Sequence, residues 1–210
     1  MSPPTYSDAG VQAAVATLKR DVAGLYLQFD DMTAAEPMNP SSLPSFEGEV
    51  RCMVGYRTSL QAPTPPRNLL VYIEWLEPIA TFDTTPPSEA ASTPPTDSKG
   101  GATAPLDIDP DSWMTTLEDG YLTLHYTVRA GGLKEHSFSL VREMDPARPY
   151  ELYLFHYPNG DAEKYLEEGI VAFRLDGLPD THGAKVQLTL KYQPLDGKEA
   201  TLTFDYKTRK

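Results

Sequence analysis

Apolar and polar residues alternate along much of this chain. Val50, Cys52, Val54 and Tyr56 take turns with Arg51, Met53, Gly55 and Arg57, and Leu69, Val71, Ile73 and Trp75 repeat the pattern before Pro78. Successive side chains of an extended backbone point to opposite faces, so a period of two predicts strands with one buried face. A slip of one residue would bury both arginines, and the alternation therefore places Arg51 and Arg57 outside. Upstream, residues 11–20 are β-prone, and residues 24–29 put Leu25, Leu27 and Phe29 on one face. Asp30-Asp31 then offers a turn into residues 33–38, and Pro37, Pro40 and Pro44 make the next stretch a loop. Five short strands without a strong helix predict a small closed barrel of the oligonucleotide/oligosaccharide-binding (OB) type over residues 1–83, with an open sandwich as the alternative.

The second half alternates as well. Leu122, Leu124, Tyr126 and Val128 share one face, and His136, Phe138 and Leu140 another. Treating them as a hairpin with a three-residue loop at Ala130-Gly131-Gly132 pairs Leu124 with Phe138 and Tyr126 with His136, with Gly132 at positive φ. Leu152, Leu154 and His156 alternate before a turn at Tyr157-Pro158-Asn159-Gly160. Residues 161–168 form a polar crossover with room for one helical turn, and residues 170–175 return as a strand. A last hairpin turns at Asp196-Gly197-Lys198, setting Leu188, Leu190 and Tyr192 against Leu202, Phe204 and Tyr206. Trp113 and Met114 open this half. Six or seven antiparallel strands at this spacing predict a β-sandwich over residues 106–210. The whole is thus all-β: a small OB-like barrel followed by an antiparallel sandwich.

Between the halves, residues 84–105 hold five prolines among Ser, Thr, Ala and Gly, with no large apolar residue to offset the entropy of ordering. They read as a linker.

Charge narrows the partners. The formal net charge is −12, spread so that neither half is basic. A phosphate-binding groove needs clustered Lys and Arg, so nucleic acid and anionic lipid surfaces are disfavoured as partners, and no nucleic acid is expected. Cys52 is the sole cysteine, which rules out an intramolecular disulfide or a multi-cysteine metal site. No run of about 18 apolar residues occurs to span a bilayer as a helix. The first residues, MSPPTYSD, lack the charged and apolar regions of a secretory signal.

Several constellations invite chemistry. Asp107, Asp109, Asp111 and Glu118 occupy positions 1, 3, 5 and 12 of a calcium-loop template. Ser112 stands where a Gly makes the bend, and Pro110 stiffens the loop, so an acidic loop with Asx turns is the preferred reading and no metal is expected. His125 shares a face with Thr123 and Thr127, away from His136. His136 and His156 approach the core edge, each expected to bond a backbone carbonyl rather than a metal. No GxSxG, HExxH, Walker or dinucleotide motif is present, and Cys52 lies in a core strand. The reading is a non-enzyme without a cofactor. Tyr56 and Trp75 fall on core faces, leaving Tyr26 and Tyr72 as exposed aromatics for stacking a sugar.

The segments YLQFDDMTAAEPMNP and EGEVRCMVGYRT resemble the N-terminal module of the NigD-like proteins. DPDSWMTTLEDGYLTLHYTV, GGLKEHSFSLV and ELYLFHYPNGD resemble their C-terminal module. One departure is Met32, where that turn usually carries Gly. The resemblance implies a barrel joined to a sandwich, exported as a lipoprotein of the cell envelope in anaerobic Gram-negative bacteria. It also implies a membrane link only through a lipidated residue outside this sequence. The family takes its name from a bacteriocin gene cluster, so the implied role is binding, of a protein (immunity-like) or of a glycan. Asp83-Thr84-Thr85 resembles the short O-glycosylation sequence of such envelope proteins, which marks Thr84 as a modification candidate.

Overall fold

The computed structural model describes residues 6–86, 102–143 and 145–209, and these form two units divided after Ala80. In the first, β1 (Gln12–Asp21), β2 (Gly24–Gln28), β3 (Ala34–Pro37), β4 (Val50–Thr58) and β5 (Leu69–Pro78) close into a barrel in the order β1-β2-β3-β5-β4. Four contacts of the ring are antiparallel and one, β3 with β5, is parallel. Inside sit Ala16, Leu18, Leu27, Phe29, Cys52, Val54, Val71 and Ile73. The Asp30 turn closes without a glycine, because the Asp30 carboxylate accepts the N–H groups of Met32 and Thr33, both at 2.7 Å. Met32 is left exposed.

Two barrel positions differ from the alternation. Trp75 is 40% exposed rather than inside, because a bulge between Gly55 and Tyr56 sets Gly55 opposite Trp75 and Tyr56 opposite Ile73. The extra residue, Glu74, reverses the phase of everything after it. The indole then covers Gly55, where an added Cβ would fall within the indole ring. Arg51 is buried rather than outside, and its guanidinium donates to the Thr17 hydroxyl at 3.0 Å. Arg57 stays on the surface, paired with Glu74.

The second unit is a sandwich. Its strands are β6 (Ala80–Asp83), β7 (Leu106–Ile108), β8 (Thr116–Glu118), β9 (Tyr121–Ala130), β10 (Ser137–Arg142), β11 (Glu151–Tyr157), β12 (Tyr165–Arg174), β13 (Val186–Tyr192) and β14 (Ala200–Tyr206). One sheet runs β6-β12-β9-β7 with β8 also on β9, the other β10-β11-β13-β14. Leu122, Leu124, Phe138, Leu140, Leu152, Leu154, Phe173, Leu188 and Leu190 fill the space between.

Here the sequence expectations need correction. β9 and β10 are not a hairpin: β9 pairs with β12 along its length and β10 with β11, in the other sheet. The apolar faces matched as ladder partners meet across the core instead, with Tyr126 and Phe138 ring centroids 4.7 Å apart. Gly132 does take positive φ, at 73°. The last hairpin is real but shifted by two residues, with Leu190 opposite Leu202 and Leu188 opposite Phe204. A shift of two keeps every side chain on its face. β11 and β13 run parallel, which no antiparallel scheme contains. Residues 165–168 are already strand rather than a helical turn, and Trp113 is an exposed turn residue. Finally, β6 belongs to the sandwich, so the proline-rich stretch leaves one sandwich strand and returns as another instead of following the barrel. Its ends are held, Thr85 beside Val141 and Ala104 beside His156; residues 87–101 lie outside the described residues.

Candidate functional site

The turn after β11 positions one carboxylate. Asn159 and Gly160 take positive φ, and the N–H of Asp161 closes the turn on the Pro158 carbonyl at 2.9 Å. This aims Asp161 at the β9–β10 connection. Its Oδ2 accepts the N–H groups of Gly131 at 2.6 Å and Gly132 at 3.0 Å, and Oδ1 accepts that of Leu133 at 3.2 Å. These backbone donors, that of Gly131 first, hold the carboxyl well below the usual carboxylate range. His136 Nε2 lies 3.3 Å from Oδ2, and His136 Nδ1 lies 2.9 Å from His156 Nε2. The three side chains are almost fully enclosed, at 1% exposure for Asp161, 9% for His136 and 1% for His156. His156 also stacks on Phe138 with centroids 5.3 Å apart. Burial, then the neighbouring His136, pushes His156 down to about 4.

His156 also borders a cleft. β11 and β13 are paired only from Glu151–Tyr153 to Thr189–Lys191, and beyond that they part. Residues 103–106 enter the fork, with the Ala104 N–H donating to the His156 carbonyl at 2.9 Å and the Leu106 N–H to that of Gln193 at 3.0 Å. The resulting cleft has a volume of about 380 Å³ and is lined among others by Thr103, Tyr153, Phe155, His156, Lys191, Gln193 and Glu199. Lys191 pairs with Glu151 and lies 5.3 Å from the centre of the Tyr153 ring. The Tyr153 hydroxyl lies 3.1 Å from a carboxylate oxygen of Glu143 and 3.1 Å from one of Glu151, and its one hydrogen is shared between them. Burial and then these two carboxylates raise the Tyr153 phenol. A cleft of this size, with a lining of mixed polarity, takes a small molecule or a short piece of a partner chain.

The structure disperses the residues singled out in the sequence. Tyr26 is covered by the Arg67 guanidinium, 3.7 Å from its ring centre, and Arg67 is itself paired with Asp21. Tyr72 is 36% exposed, edge-on to Tyr6. Tyr56 packs inside on Phe29, as its strand face requires. The calcium template does not converge: Asp107 lies opposite Thr127 of β9 and Glu118 opposite Tyr121, six positions along one strand, which is about 20 Å. Asp107 accepts the Leu195 N–H, and Asp109 the N–H of Asp111 in an Asx turn. Thr84 is half-buried, and its hydroxyl donates to the Arg174 carbonyl at 2.5 Å. Burial pushes the Cys52 thiol up to about 12. His125 sits near Asp109, Ser112 and Glu168, on the face away from His136. His136 and His156 bond each other, where separate backbone carbonyls were expected. The missed partner is Asp161, which belongs to neither histidine's strand. The turn residues Pro158-Asn159-Gly160 before it were the available signal.

Residues 89–206 match the family model described as the NigD-like C-terminal beta sandwich domain. No curated protein matches the chain. Among solved structures, a candidate toxin-related protein from Parabacteroides distasonis is 24% identical with a TM-score of 0.71, covering 94% of this chain and 93% of that one. A NigD-like immunity protein from Bacteroides caccae is 22% identical with a TM-score of 0.64, covering 95% and 99%. A candidate lipoprotein from Bacteroides fragilis is 15% identical with a TM-score of 0.61, covering 95% and 100%. At these identities the likeness shows a shared fold.

Proposed function

Because the chain belongs to the NigD-like family, we propose that it is a non-catalytic interaction module of the cell envelope that grips a protein partner in the sandwich cleft. The observation that carries this reading is the fork between β11 and β13. It leaves an open, mixed-polarity cleft in which Lys191, held by Glu151 behind it and lying against Tyr153, is set in place before any partner arrives. Such a surface suits recognition by shape and hydrogen bonds. The solved relatives described as an immunity protein and a candidate lipoprotein favour a protein partner and an envelope address. The acidic charge argues against nucleic acid.

The test is site-specific photocrosslinking in native envelopes, with a photoreactive residue at Gln193 or, as control, at Trp75. One defined protein adduct at Gln193 that disappears with Lys191→Glu supports the reading. Adducts at both positions, or at Trp75 alone, contradict it.

A second reading has its own observation. The bulge turns Trp75 onto the outer barrel face with Tyr72, and the Arg57–Glu74 pair lies beside them. Aromatic faces flanked by hydrogen-bonding groups suit an oligosaccharide, in keeping with a barrel of the OB type. Binding on a glycan array that is lost with Trp75→Ala supports it, and an array without hits for the folded protein removes it.

A further inference from the structure

The outer face of the β10-β11-β13-β14 sheet carries two comparable rows of side chains at the fork. Glu151, Tyr153 and Phe155 of β11 alternate with the buried Leu152, Leu154 and His156, so all three lie on the outer face. Tyr153 is opposite Lys191 and Lys191 opposite Thr201, which makes the first row. One step further up the sheet stand Phe155, Gln193 and Glu199, where continuing the β13–β14 ladder sets Glu199 opposite Gln193. The cleft opens between Phe155 and Gln193, and all three residues line it.

The first row is complete. Its Lys191 ammonium lies 5.3 Å from the centre of the Tyr153 ring and is paired with Glu151, so a cation rests on an aromatic face with a carboxylate behind it. The second row has the ring, Phe155, and the carboxylate, Glu199, without the cation. Among the described residues no basic group stands on Phe155, and the Glu199 side chain has neither an ion-pair nor a hydrogen-bond partner. Lys198, its neighbour in the chain, is exposed and lies outside the lining. The surroundings are acidic as well. Burial, then Asp107 and Asp196, raise the phenol of Tyr192 on the same cleft, and Glu143 and Glu151 flank Tyr153. The cations beside them, Lys191 and Arg148, are both already paired with Glu151.

We propose that the cleft seats a lysine or arginine side chain of the partner, with its charge held between the Phe155 ring and the Glu199 carboxylate. The proposal rests on the reading that the cleft grips a protein, and it adds which side chain is gripped. An ammonium or guanidinium is attracted by the ring and the carboxylate together, while its alkyl stem packs on the apolar wall. The net charge of −12 makes a basic segment the complementary one. An acidic side chain would instead meet Glu199 and be repelled.

The test uses the Gln193 photocrosslink in native envelopes, with unchanged melting curves as the control for each variant. Glu199 is exposed, so its replacement leaves the core intact. Glu199→Gln should lower the adduct yield about tenfold, as loss of one charge-assisted contact does. Glu199→Lys should abolish the adduct, and Phe155→Leu, which keeps an apolar wall without a ring, should lower it by a few-fold. The crosslinked partner peptide should contain Lys or Arg, and changing that residue to Glu in the partner should restore the adduct of the Glu199→Lys variant. An adduct undiminished in Glu199→Lys or in Phe155→Leu, or a partner peptide without Lys or Arg, overturns the cation seat while the cleft reading stands. No Gln193 adduct in the wild type removes the cleft reading, and the seat with it. Lys191→Glu reports on the wall rather than on the occupant's charge, because it sets a third carboxylate beside Glu143 and Glu151 and takes the first row apart.

Discussion

The barrel and the sandwich solve one problem, burying a period-two pattern, in different ways. Around the barrel, four of five strand contacts are antiparallel, and the single parallel one closes the ring between β3 and β5. Its apolar faces are inside because the sheet curls on itself, so ladder neighbours are also core neighbours. In the sandwich these two relations separate. Tyr126 and Phe138 touch across the core while belonging to different sheets, and β9 takes its ladder partners from β12, β7 and β8. Complementary apolar faces therefore identify a ladder in one unit and a facing layer in the other.

That comparison can be attacked in order of expected effect. Leu190→Ala, at a fully buried position facing the opposite sheet, should cost about 2–5 kcal/mol in chemical denaturation, and the barrel equivalent Leu27→Ala a similar amount. A cost under about 1 kcal/mol at Leu190 would mean that the layers are not tightly packed there.

Acid should act on the sandwich row next. An unfolded chain protonates His156 at its ordinary value of 6.5, while the folded chain resists until about 4. The unfolded state thus binds more protons between these limits. Stability should be complete above 6.5 and fall by on the order of 3 kcal/mol down to about 4. Asp161, held below the carboxylate range, extends the loss at lower pH. Melting curves against pH for the wild type and for His156→Gln check this; equal slopes for both would remove His156 as the cause.

On the barrel, Gly55→Ala should cost about 1–3 kcal/mol, because the new Cβ and the Trp75 ring claim the same space. A shift in tryptophan emission should accompany the loss, and an unchanged spectrum with wild-type stability would disprove the bulge geometry. The smallest effect is the coupling between Tyr126 and Phe138. A double-mutant cycle should give about 0.5–1.5 kcal/mol although no ladder joins them, and zero coupling would return β9 and β10 to separate environments.

Much of the barrel was legible because its evidence is local. The Val50–Arg57 alternation and the Asp30 turn each lie within a few residues of what they determine. The Trp75 exception needed one extra residue in the ladder, which periodicity does not reveal unless the partner strand is known. In the sandwich, strands were found but pairings were not. Matching Leu124 to Phe138 satisfies a ladder and a facing layer equally well, and only the β10–β11 ladder, with Phe138 opposite His156, separates them. The candidate site was the least legible part. His136 and His156 were marked as edge histidines, but the carboxylate that orders them arrives from a turn, and the cleft depends on two parallel strands parting.

The parallel pair also bears on the order of events as the chain leaves the ribosome. β1 meets β2 across a two-residue turn, and every barrel strand has been synthesised by Pro78. β11 by contrast waits for β13, since Glu151 lies opposite Thr189, and β13 has its second neighbour only once β14 has emerged. Distant pairings pay their closure entropy before any contact rewards it, so they form late. The sandwich is therefore the slow half, and β13 gains its outer neighbour last among these strands. A nascent chain halted before Ala200 would carry β13 with one edge unpaired, an exposed strand edge of the kind that makes unfinished β proteins prone to aggregation.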